Sequence, residues 1–245
     1  MAYAGLDEKK GKALEEFVGA MKDLYGDRLV SLYLFGEGAV ATPGGAAGRI
    51  KLLAVMTQVG PEELKKYAGI YVKWHKKGVP PPLMMTEGML NSSTDVFPME
   101  FLEMKEANVL LHGRDVLAGL EIGLENLRRE CEEQVKGKLI HLQQAYIEAA
   151  GDGKALAALL ASSLEPFVEI MRNLLRIHKN VTHLDRDRII KEACSEFGLD
   201  CSPFSETLEI RRHGKTPSKE GLEILFGRYL EQVRLLADKV DRMTG

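Results

Sequence analysis

Two short apolar runs, Leu29 to Phe35 (LVSLYLF) and Ile50 to Met56 (IKLLAVM), constrain the fold of this chain most tightly. Both are rich in strand-forming residues at consecutive positions, the pattern of strands buried on both faces. The thirteen residues that join them, Gly36 to Gly48, hold five glycines, one proline and several alanines. Few of those side chains are large enough to pack, so the loop either flexes or wraps closely around something.

The flanking segments extend an alternation of helix and strand. Leu14, Phe17, Val18, Met21 and Leu24 have helical spacing and predict a helix over 12–24, stopped by Gly26 and Asp27. A second helix is expected over 61–77, with Pro61 in its first turn and acidic residues at the positive end of its dipole. After the VPPPL break, 83–85 and 99–104 are expected to be strands. LLHGRD, 110–115, is expected to lead out of the domain.

Beyond about residue 118 the pattern becomes helical throughout. Leu124, Leu127, Cys131, Val135, Leu139, Leu142, Tyr146 and Ala149 form one apolar stripe. The segment 155–177 is apolar almost all round, as for the central helix of a bundle, and Pro166 predicts a kink in it. From Pro217, with Thr216 as its cap, a final helix is expected to set Leu222, Phe226, Tyr229, Val233, Leu236, Val240 and Met243 on one seam. The expectation is an α+β protein: a mixed-sheet domain over 1–118, then an all-α helical bundle over 119–245.

Composition narrows the function classes. The chain has 245 residues, is 45% hydrophobic and 28% charged, and has a formal net charge of -3. That balance gives no general attraction to nucleic acid. No run of about 18 apolar residues is present to span a bilayer, and the N-terminus lacks a secretory pattern, so no membrane partner and a cytoplasmic location are expected. Cys131, Cys194 and Cys201 lack metal-ligand spacing and are expected to be reduced and structural.

A strand ending in Phe-Gly, a glycine-rich loop and a second strand of the form GRIKLLAV resemble the nucleotidyltransferase superfamily of the minimal and kanamycin types, over roughly residues 10–117. The resemblance implies a first strand ending in Gly-Ser, a second opening with two carboxylates one residue apart, and a third carboxylate on a later strand. Alternate strand residues face one side about 7 Å apart, so paired carboxylates there share the magnesium ions that bind triphosphate. In this sequence Arg49 and Lys51 stand at the paired positions and Glu37 at the serine position. Only Glu100 matches the third carboxylate.

The substitution reverses the local charge. A single positive charge ~4 Å from a divalent metal repels it by roughly 2 kcal/mol in water-like dielectric and about 8 kcal/mol at an effective constant of ~20. Arginine and protonated lysine also offer no lone pair. The expectation is a degenerate, non-catalytic protein without a cofactor. Its Arg49, Lys51, Gly36 and Gly38, with the later loop N–H groups of Gly44 to Gly48, either bind a nucleotide or other phosphate, or leave Arg49 and Lys51 paired with Glu37 and Glu100 while a protein partner or second copy is bound elsewhere. The alternative is an active transferase passing a nucleotide to protein, RNA or a small molecule, with Mg2+ held by Glu37 and Glu100. Glu103, on the opposite face of the expected strand, is a weak substitute ligand.

A second resemblance lies in MRNLLRIHK. Arg172, Asn173 and His178 follow the Arg-Asn-x4-His order of HEPN-type ribonucleases, which implies that arginine and histidine from two paired chains act on an RNA phosphodiester. The plainer reading sets Arg172 and Arg176 on the polar edge of a core helix and His178 in its last turn. His112 is expected to finish a strand-to-helix turn, and Arg211, Arg212, His213 and Lys215 to occupy a solvated loop.

Overall fold

The computed structural model describes residues 3–40, 48–180 and 185–243. The chain divides into two compact units, Met1–Gly123 and Leu124–Gly245.

The first unit is a four-stranded mixed sheet between layers of helix. Helix α1 (Glu8–Tyr25) starts four residues before the expected residue 12 because Asp7 caps it, accepting the Lys10 N–H at 2.8 Å. Strand β1 (Leu29–Phe35) pairs antiparallel with β2 (Lys51–Met56), and β2 pairs in parallel with β3 (Leu83–Thr86) after the crossover helix α2 (Pro61–Lys76). A short helix α3 (Glu87–Ser92) follows.

The next element differs from the sequence expectation. Residues of the expected strand 99–104 lie in helix α4 (Pro98–Glu106), and the last strand is β4 (Asn108–Gly113), antiparallel to β1. Pro98 occupies the first turn of α4, where its missing N–H costs nothing. The segment LLHGRD is thus largely edge strand, giving the order β3-β2-β1-β4.

Each sheet face has its own core. Leu32, Leu34, Leu52 and Ala54 pack with Phe17 and Met21 of α1 and with Tyr67 and Trp74 of α2. Tyr33, Phe35, Leu53 and Val55 point the other way, onto Leu90, Phe101, Met104, Leu117 and Leu120.

The second unit contains five helices among its described residues: α5 (Leu124–Ala149), α6 (Gly153–Lys179), α7 (Arg186–Phe197), α8 (Ser202–His213) and α9 (Lys219–Asp241). Two sequence expectations shift here. Ser218, rather than Thr216, caps α9, and Arg211 to His213 form the last turn of α8 rather than a loop. Helix α6 runs through Pro166 without ending. Tyr229 of α9 is fully buried, edge-on to Phe167 of α6 and Phe204 of α8.

Candidate functional site

The β1–β2 hairpin places the residues singled out by the sequence, and its glycines set the geometry. Gly36 leaves β1 with φ +71, a left-handed conformation that favours glycine, and its N–H bonds to the Ala107 carbonyl at 2.8 Å. A Cβ on Gly38 would lie 2.6 Å from the Arg49 carbonyl oxygen, and one on Gly48 2.5 Å from that of Glu37. The two ends of the loop therefore touch backbone to backbone.

A third strand of chain closes this knot. Gly48 donates its N–H to the Gly5 carbonyl at 2.7 Å, and Lys10 Nζ donates to the Gly48 carbonyl at 3.1 Å. A Cβ on Gly5 would stand 2.2 Å from the Glu37 carbonyl oxygen. The segment before α1 thus braces the loop, and Gly36 and Gly48 spend their N–H groups inside the protein. Gly44 and Gly45 lie outside the described residues, so that part of the expected anion cradle has no structural description.

Lys51 opens β2 opposite Phe35. Its Nζ donates to both carboxylate oxygens of Glu103, at 2.8 and 3.0 Å, and lies 5.8 Å from the centre of the Phe35 ring. This corrects the expected Lys51–Glu100 pair. In a strand Glu103 would face away from Glu100, but one helical turn separates them on α4 and brings Glu103 over Gly36 and Lys51. A Cβ on Gly36 would lie 2.7 Å from Glu103 Oε1, so the carboxylate rests directly on the glycine turn.

Glu37 and Glu100 are both exposed, Glu100 in the first turn of α4. Among the described residues no cluster of three or more histidine, cysteine or acidic side chains is arranged to hold a metal ion. Arg49 is exposed and makes no ion pair with a described residue. Phe101 and Met104 of α4 pack against Phe35 and Leu53, filling the sheet face on which Lys51 stands.

The helical unit separates the other two candidates. Arg172 pairs with Glu169 at 2.9 Å on its own helix, while His178 Nδ1 lies 3.5 Å from Glu196 and its ring meets Phe197 edge-on, both on α7. Six residues along a helix turn the side chain about 120° away, so within one chain the arginine and histidine face different neighbours.

Arg176 is buried rather than on the expected polar edge, and it donates to the Asn173 side-chain oxygen. Asn173, itself buried, donates to the Glu169 carbonyl at 3.0 Å. Cys131 lies beside this network. Burial first, then Glu130, pushes its thiol pKa up to about 12, and the fully buried side chain is closed off from reagents in solution.

His112 lies within β4, paired with Leu32, rather than in a turn after it. Arg211 pairs with Glu165 at 2.7 Å, and Arg212 with Asp187, so two cations of the basic cluster are used between helices.

No protein-family model matches the chain, and no curated protein matches it. No helix among the described residues is long and apolar enough to cross a membrane.

Proposed function

We propose that this chain is a non-catalytic binding protein whose first unit is a degenerate nucleotidyltransferase-like domain with a phosphate-bearing ligand. The observation that carries this reading is the Lys51–Glu103 pair. Where the resemblance implies a metal-binding carboxylate there is an ammonium group, held by a carboxylate from α4 and backed by packed apolar side chains. The ammonium offers no lone pair to a metal ion, and an anion reaches it by taking the place of the Glu103 carboxylate. Arg49, exposed and in no ion pair with a described residue, offers its guanidinium for forked contacts, and Lys51 joins it when a phosphate displaces Glu103.

Thermal-shift titration with ATP, GTP, CTP and UTP, each with and without magnesium, tests the proposal. The expected result is a rise in melting temperature that is indifferent to magnesium, weakened in Arg49→Ala and Lys51→Ala, and strengthened in Glu103→Gln. Magnesium-dependent binding with pyrophosphate release that is lost in Glu100→Ala would overturn it in favour of an active transferase. No shift in any variant would also overturn it and direct the search to a protein partner. The ribonuclease reading requires metal-independent RNA cleavage lost in His178→Ala, and two chains to bring Arg172 and His178 together.

A further inference from the structure

The turn between α7 and α8 brings two thiols together. Helix α7 ends at Gly198, φ +64, whose N–H returns to the Cys194 carbonyl, and the Leu199 N–H bonds to the same oxygen at 2.9 Å. This tight cap folds the chain back, so that Cys201, one residue before α8, faces the last turns of α7. Its sulfur donates to the Ile190 carbonyl at 3.6 Å. That carbonyl is the helical partner of the Cys194 N–H four residues on, so the Cys201 sulfur lies over the turn from which Cys194 projects. One carbonyl oxygen thus accepts from both the Cys194 N–H and the Cys201 thiol, which sets the two cysteines side by side.

Their surroundings differ. Cys194 is 3% exposed, whereas Cys201 is only partly buried. Burial, then the Cys201 thiol, pushes the Cys194 thiol well above its ordinary value. Cys201 is therefore the sulfur that a reagent in solution meets first, and Cys194 the one that follows.

We propose that Cys194 and Cys201 form a dithiol site that a low-molecular-weight disulfide oxidises reversibly to an internal disulfide bond. In the first step Cys201 gives its proton to water and attacks one sulfur of the small disulfide. A mixed disulfide forms, the small S–S bond breaks, and one small thiolate leaves and is protonated. In the second step Cys194 attacks the Cys201 sulfur, its proton passing to the departing second small thiol. The new bond joins Cys194 to Cys201 and the mixed disulfide breaks. The protein loses two hydrogens and two electrons, and the small disulfide becomes two thiols. The product ties the end of α7 to the start of α8 without joining two chains.

The test is incubation of the native full-length protein with oxidised glutathione, followed by intact mass and peptide mapping. The expected product is lighter by two hydrogen atoms, carries a Cys194–Cys201 crosslink, and reverts with dithiothreitol. Cys131→Ser should behave as the wild type, since that thiol is buried in α5. Cys194→Ala should stop at a glutathione adduct on Cys201. A persistent glutathione adduct on wild-type Cys201, a covalent dimer through Cys201, or no modification would each overturn the proposal. Mapping of the wild type decides the matter even where a variant does not fold.

Discussion

Gly113 shows how closely single atoms are fitted in the sheet. It ends β4 with φ +83, and a Cβ there would lie 1.9 Å from the Val30 carbonyl oxygen on β1. Backbone cannot retreat as a flexible side chain can, so Gly113→Ala should cost at least about 2 kcal/mol, from overpacking and left-handed strain together. Urea unfolding checks this. Next to it, the buried Tyr33 hydroxyl accepts the Val116 N–H at 2.6 Å and fixes the chain as it leaves the strand. Glu63 makes a pH-dependent contribution. Its carboxylate accepts from Gln58 at 3.1 Å, from Arg28, and from the Gly60 N–H at the start of α2, and these bonds, Gln58 first, hold its pKa below the usual carboxylate value. A depressed folded pKa means that the stabilisation is complete above the unfolded value, about 4.3, and is lost as pH falls through the folded one. Glu63→Gln should therefore be less stable than the wild type at neutral pH and lose less stability on acidification. Denaturant midpoints measured from neutral to acidic pH give that comparison.

At the scale of elements, α4 is where strand and helix readings of one sequence compete. In PMEFLEMKE the apolar residues Met99, Phe101, Leu102 and Met104 satisfy a two-residue period partly and a helical period partly, and nine residues are too few to separate them. Tertiary packing decides it, because Phe101 and Met104, three apart, reach the sheet together only from a helix. Phe101→Ala should then destabilise the first unit by about 3–5 kcal/mol. A far smaller loss, measured by chemical denaturation, would mean that α4 is not a wall of the core. The strands β1 and β2 were legible because continuous apolar runs have few alternatives, and the stripes of α5 and α9 because long periods average out local noise. The Lys51–Glu103 pair was not legible, since it depends on which face of α4 carries Glu103. Nor was the role of Gly5, which lies in no periodic pattern and is explained only by the backbone atoms that crowd it.

At the scale of the whole molecule, the division into two compact units implies two sources of cooperativity. The only tryptophan, Trp74, is buried in the first unit against Phe17, with ring centres 5.3 Å apart. Its fluorescence reports that unit, while the long helices of the second contribute much of the helical circular dichroism. Asn173→Ala, which breaks the buried Glu169–Asn173–Arg176 chain, should lower the midpoint seen by circular dichroism, by about 1–3 kcal/mol in stability, and leave the Trp74 transition in place. Equal shifts in both signals would show that the units unfold as one. The brace that Gly5 provides to the glycine loop also bears on how the protein is handled. An affinity tag fused at the N-terminus joins the chain within a few residues of Gly5, which touches Glu37, Gly38 and Gly48, so a polyhistidine leader brings a cluster of imidazoles close in sequence to the surface being assayed for anions. Purification by a handle at the other terminus, or removal of the leader before titration, keeps that surface as the native sequence makes it.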